Sequence, residues 1–180
     1  MKKILLILCL SSSLAGFCQE TIVEKPKEKS IFDRQHELKA GGIKLLSGPI
    51  FEATYEYIHS KNFTYGSSIL VNLDKKIDYP EDFSITPFAR FYFQETREYG
   101  ASGFFVEGFG KILTGKNSYD SYAIEEKFTA GALGLSLGKK WINSSGFIFE
   151  LLFGVGRTIG GGMSTPEAVF RGDLNIGYRF

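Results

Sequence analysis

From Glu37 to Phe180 apolar and polar residues change places at almost every step, in runs of roughly ten residues separated by polar breaks. A period of two puts successive side chains on opposite faces of a strand, and no segment sustains a helical period. Eight runs can be marked out: Glu37–Leu46, Ile50–His59, Phe63–Leu73, Ser84–Gln94, Gly103–Leu113, Phe128–Trp141, Phe147–Gly156 and Phe170–Phe180. In the second, Phe51, Ala53, Tyr55 and Tyr57 face one way and Glu52, Thr54 and Glu56 the other. The fifth sets Glu107 and Lys111 on the face of Phe105 and Phe109, opposite Phe104, Val106 and Ile112. In the sixth, Leu133, Leu135 and Leu137 oppose Gly134, Ser136 and Gly138. The seventh opposes Phe149, Leu151, Phe153 and Val155 to Glu150, Gly154 and Gly156. The last opposes Leu174, Ile176, Tyr178 and Phe180 to Arg171, Asp173, Asn175 and Arg179. The first run leaves its inward face open, and its Gly41-Gly42 offers a sharp bend. Pro87, early in the fourth, has no N–H to give a ladder and predicts irregular pairing there.

Strands of about 9 to 11 residues are what a tilted membrane crossing needs, and an even number closes without a free edge. The expected fold is therefore all-β: an eight-stranded antiparallel up-and-down transmembrane β-barrel. The breaks add a polarity. With the N-terminus in the periplasm, the long charged breaks Asp74–Phe83, Thr114–Lys127 and Arg157–Val169 face outward. Lys61-Asn62 and Ile142–Gly146 are then short periplasmic turns, Glu95–Ser102 is intermediate, and Ser47-Gly48-Pro49 is a short exception on the outer side.

The N-terminal MKKILLILCLSSSLAGFCQE has two lysines, an apolar core and small residues, the pattern of a secretory signal. Cleavage after Cys18 makes residues 1–18 the signal. Acylation of Cys18 is the alternative, with Phe17 standing where a lipobox wants a small residue. Residues 19–35 are charged and aperiodic and read as a disordered periplasmic segment, leaving 36–180 for the barrel. Both cysteines, Cys9 and Cys18, fall within the signal, so the mature chain has neither a disulfide scaffold nor a thiolate site. Without Lys2 and Lys3, 19 basic residues stand against 20 acidic ones, and no basic patch points to nucleic acid.

Aromatic residues gather near the ends of runs: Phe51, Tyr57, Phe63, Phe93, Phe104, Trp141, Phe147, Phe170, Tyr178 and Phe180. Rings favour the headgroup level of a bilayer, so this placement suits an apolar face turned outward. A soluble lipid-binding barrel would turn the same face inward. In the membrane arrangement the interior receives Glu52, Glu56, Arg90, Glu107, Lys111, Glu150, Arg171, Asp173 and Arg179. Eight strands enclose just enough room for side chains to fill, and buried charges there must be paired. A packed ionic plug is the expectation, with a channel or proton path as the alternative.

The last eleven residues, FRGDLNIGYRF, resemble the closing strand of bacterial outer-membrane barrels. That resemblance makes Ile176, Tyr178 and Phe180 an insertion signal for the barrel-assembly machinery. The stretch GLSLGKKWINSSGFIFELLFGVGR from Gly134 resembles small outer-membrane barrel proteins of the Bacteroidota, more distantly OmpA- and OmpX-type barrels. It implies fold and location and brings no catalytic residues with it.

No chemistry stands out beside this. His59 and Ser60 are adjacent and so face opposite ways, whereas a lipid A deacylase wants them two apart on one face. His36 reads as an interfacial residue. The acidic clusters Asp74–Asp82 and Asp120–Glu126 lack the spacing of a calcium loop, and Gly160-Gly161-Gly162 lacks the strand–helix setting of a phosphate loop. The expectation is thus no catalytic, cofactor-binding or metal-binding residue, and partners limited to outer-membrane lipid, lipopolysaccharide, the assembly machinery and an unidentified loop ligand. A structural or surface-interaction role leads, ahead of a narrow pore for small solutes and a lipid-modifying enzyme.

Overall fold

A computed structural model describes residues 33–180 except 75–78, 94–99, 119–124 and 161–164. The signal at 1–18, the segment 19–32, most of the Asp120–Glu126 cluster and Gly161-Gly162 lie outside the described residues. Eight strands form one closed barrel: β1 (His36–Gly41), β2 (Ile50–Ile58), β3 (Phe63–Asn72), β4 (Phe83–Tyr92), β5 (Gly103–Ser118), β6 (Glu125–Ile142), β7 (Phe147–Ile159) and β8 (Ala168–Arg179). Each pairs antiparallel with the next, and β8 returns to β1. The end holding His36 and Arg179 is the near end, and the opposite one the far end.

The alternation maps directly onto the wall, with polarity reversed from that of a water-soluble barrel. Glu56, Glu107, Lys140 and Glu150 point inward and are 0 % exposed, while Leu137 and Phe153 point outward at 66 % and 67 %. Burying apolar area is worth about 25 cal/mol per Å². A wall that buries its charges and presents its leucines and phenylalanines forgoes that gain unless something apolar covers it.

Several boundaries differ from the sequence expectation. β1 is short. The expected run Glu37–Leu46 stops at Gly41, and Ile43–Ser47 forms a single helical turn, α1, instead of a bent strand. The Asp173 carboxylate fills the space beside Gly41, where an added Cβ would stand 2.2 Å from Oδ2. Its Oδ1 accepts the Ile43 N–H at 2.9 Å and fixes the start of the turn. α1 lies over the far rim inside out, with Lys44 turned to the lumen and Leu46 89 % exposed.

β5 to β7 are longer than expected. Much of the expected loop Thr114–Lys127 is hairpin, with Lys116 opposite Lys127 and Ser118 opposite Glu125, and β7 continues to Ile159. Polar residues end the apolar alternation here, but a backbone ladder needs only a partner strand. At the near end, residues expected in a disordered segment are docked. The Ile58 N–H donates to the Gln35 carbonyl at 2.8 Å, and the Arg34 guanidinium donates to the Tyr178 hydroxyl and the Ser145 carbonyl. The irregularity expected at Pro87 is present: pairing of β4 with β5 lapses over Thr86 and Pro87 and resumes at Phe88 in the same register.

Two apolar clusters sit inside the barrel. Toward the near end Ile58, Tyr92, Ala101, Phe105 and Leu152 pack together; toward the far end Phe88, Phe109, Leu113, Phe128, Ala130, Ala132 and Val169 do so. Glycines in β6 make room for them. A Cβ on Gly134 or Gly138 would stand 2.4 Å from the Phe109 ring or 2.3 Å from the Phe105 ring.

Candidate functional site in the barrel lumen

Ion pairs run through the lumen from one end to the other. Arg179 pairs with Glu37 at 2.7 Å, and Glu37 with Lys140 at 2.7 Å. Lys140 reaches Glu56 at 2.8 Å, and Glu56 also holds Lys39 and, at 2.7 Å, Arg90. Arg90 is the hub. Its Nη1 meets Glu150 at 2.8 Å as well, and its Nε meets Glu107 at 2.6 Å. Glu107 passes the chain to Arg171 at 2.7 Å, Arg171 reaches Glu52 at 3.3 Å, and Glu52 ends on Lys44 of α1.

Neutral groups complete the hydrogen bonding that buried charges require. Thr64 and Tyr92 hydroxyls donate to Glu56 at 2.6 and 2.9 Å, Ser136 donates to Glu107 at 3.0 Å, and the Asn175 amide donates to Glu150 at 3.1 Å. The Arg90 guanidinium lies 4.4 Å from the Phe88 ring centre and 4.5 Å from that of Phe105, a cation between two π faces.

All nine charged residues assigned to the interior from sequence are buried. Seven of them, Glu52, Glu56, Arg90, Glu107, Glu150, Arg171 and Arg179, join this network. Lys111 and Asp173 do not. Lys111 pairs with Glu81 from the β3–β4 connection, and Asp173 accepts the Ile43 and Leu174 backbone N–H groups. Four members were not singled out: Glu37, Lys39, Lys44 and Lys140. The signal for Lys140 was present, since the spacing that turns Ser136 and Gly138 inward also turns residue 140 inward. Glu37 and Lys39 were hidden because α1 breaks the parity of the first run. Lys44 and Glu81 enter from outside the strands, where alternation says nothing. With them the described interior holds seven carboxylates (Glu37, Glu52, Glu56, Glu81, Glu107, Glu150, Asp173) and seven cations (Lys39, Lys44, Arg90, Lys111, Lys140, Arg171, Arg179).

The lumen is closed. Glu37, Lys39, Glu56, Arg90, Glu107, Lys140 and Glu150 are each no more than 1 % exposed. At the near end Arg179 donates to the Gly100 and Ala101 carbonyls at 2.9 and 3.1 Å, holding these two residues, just before β5, at the opening. Ala101 is there fully buried and held at φ 53°, a left-handed conformation costly for a residue with a Cβ. At the far end Ser84 and Lys111 hold Glu81 in the mouth, and burial pushes the neighbouring Tyr79 phenol up. This set of groups binds its own charges to one another. Among the described residues no group of three or more His, Cys, Asp or Glu is placed to hold a metal ion.

The outer face carries a belt of rings at the near end. His36 stacks on Phe180 at 5.9 Å and hydrogen-bonds the Tyr55 hydroxyl; Tyr57 meets Tyr65, Phe91 meets Phe93, Trp141 meets Phe149 and Phe147 meets Tyr178, all between 5.4 and 5.9 Å. Every strand except β5 contributes to these ring pairs. Ile176, Tyr178 and Phe180 lie on this outward face, and Phe180 exchanges backbone hydrogen bonds with His36 to close the β8–β1 seam. His59 and Ser60 belong to the β2–β3 turn, where the Ser60 hydroxyl accepts the Phe63 N–H. No protein family, curated protein or solved structure matches the chain.

Proposed function

We propose that this chain is an integral outer-membrane β-barrel protein of a Gram-negative bacterium, of the small Bacteroidota kind, with a structural or surface-interaction role and a plugged lumen. One observation carries the reading: charges face inward in a paired network while the outer wall is apolar and rimmed by rings at the near end. Hydrocarbon is the solvent that makes this arrangement favourable, because it covers the outer wall and forbids an open sheet edge. The near end, with its two four-residue turns, faces the periplasm; the far end, with α1 and the β5–β6 hairpin, faces outward toward lipopolysaccharide or a loop ligand. Ile176, Tyr178 and Phe180 present β8 to the assembly machinery. The closed lumen favours this role over conduction.

The test is heat-modifiability of membranes from cells making the full chain or a chain lacking Phe180. A barrel that migrates anomalously until boiled, and is depleted without Phe180, supports the reading. A soluble periplasmic product indifferent to Phe180 overturns it.

A further inference from the structure

On the outside of β5 to β7, close to the near end, runs a groove of about 340 Å³ bordered by Phe93, Phe104, Leu137, Lys139, Leu151 and Phe153. Its size falls at the low end of the roughly 300–1,000 Å³ of small-molecule sites. Its walls are apolar except at one point. Lys139 stands opposite Phe104 on one side and Leu151 on the other, with its ammonium 4.6 Å from the Phe104 ring centre and 5.0 Å from that of Trp141. Elsewhere in the near half, the outward positions of the eight strands are apolar, aromatic, small or hydroxylic, apart from His36. Among the described residues no carboxylate pairs with Lys139, whereas every inward lysine has one.

We propose that this groove is a binding site for one anionic glycerophospholipid, its phosphate held by the Lys139 ammonium and an acyl chain lying between Leu137, Leu151 and Phe153. The two rings hold the ammonium at the level where the belt places a headgroup, and a cation against π faces still has free N–H donors for phosphate oxygens. Charge complementarity selects the occupant. An apolar protein surface would fill the groove and leave the ammonium without an anion, which a phospholipid supplies. The inference rests on the membrane reading above.

Native mass spectrometry of the purified full-length barrel, released from detergent micelles with added phosphatidylglycerol, tests it. Wild type is expected to retain one phosphatidylglycerol per chain, and Lys139→Gln about five- to tenfold less, the weight of one interfacial lysine. Leu151→Trp, which fills the groove and keeps the charge, should lose the lipid too, while Arg157→Gln on the neighbouring strand should keep it. Equal retention by wild type and Lys139→Gln overturns the proposal, as does equal retention of diacylglycerol, which lacks the phosphate. Dimers that form through the groove and exclude lipid overturn it in favour of a second copy as occupant. Heat-modifiability of the same preparations separates the two claims: a folded membrane barrel indifferent to Lys139→Gln loses only the lipid site.

Discussion

The two halves of the lumen are charged to a similar degree but built differently. In the near half, Glu37, Lys39, Glu56, Arg90, Lys140, Glu150 and Arg179 all come from strands, and each carboxylate meets at least two cations. In the far half, Glu52 depends in part on Lys44 from α1, and Lys111 depends on Glu81 from the β3–β4 connection. Strands fix near-half charges through a closed ladder that cannot open locally. Far-half charges are completed by Lys44 and Glu81, which enter from outside the strand ladder. A lost partner is therefore costlier in the near half, where the paired side chains are at most 3 % exposed, than at the far rim, where Lys44 and Glu52 are 14 % and 7 % exposed.

The strongest way to break that comparison is Arg90→Met. It removes the one cation shared by Glu56, Glu107 and Glu150 in the closed middle, leaves those carboxylates in excess of the cations around them, and should cost about 3–5 kcal/mol or prevent folding. Urea unfolding in lipid, followed by gel mobility and by the fluorescence of the single tryptophan, Trp141, reads the loss. A cost below that of the far-half variants would sink the distinction. Gly138→Ala comes next. The added methyl meets the Phe105 ring and the Leu151 carbonyl, and overpacking of this kind costs about 1–3 kcal/mol by the same titration. Glu81→Gln should cost about 1–2 kcal/mol, because the amide oxygen can still accept from Lys111 and only the opposite charge is lost. The smallest effect is expected for Lys44→Ala, a few tenths to about 1 kcal/mol, since Glu52 keeps Arg171. Planar-bilayer recording sharpens the contrast in another way: wild type should show no steady conductance, and neither far-half variant should open the barrel, because the near-half layer is intact. Steady conductance in wild type would refute the closed lumen.

How far the sequence could be read depends on who owns each residue's surroundings. Within a strand, parity decides the face, so Glu56, Arg90, Glu107 and Glu150 could be placed inside from their neighbours alone. Parity fails where the chain leaves the strand. The helical turn after Gly41 blurred the inward face of β1 and hid Glu37 and Lys39, and its cause lies in Asp173, 132 residues along the chain. Polar composition misplaced the ends of β5 and β6 for a related reason, because the ladder Lys116–Lys127 is held by a partner strand and not by apolar residues. Arg34 and Gln35 looked like part of a tether because nothing in their own sequence names Tyr178 or Ile58 as partners.

The sequence by itself determined the number of strands, the faces of the residues in β2 to β8 and the near neutrality of the interior, because a two-residue period needs only adjacent residues to be legible. Which cation meets which carboxylate across the lumen was decided by the closed barrel. Arg90 meets Glu107 as its direct partner on β5, but it reaches Glu56 on β2 and Glu150 on β7 only once β8 has met β1 and the wall has curved them to face it.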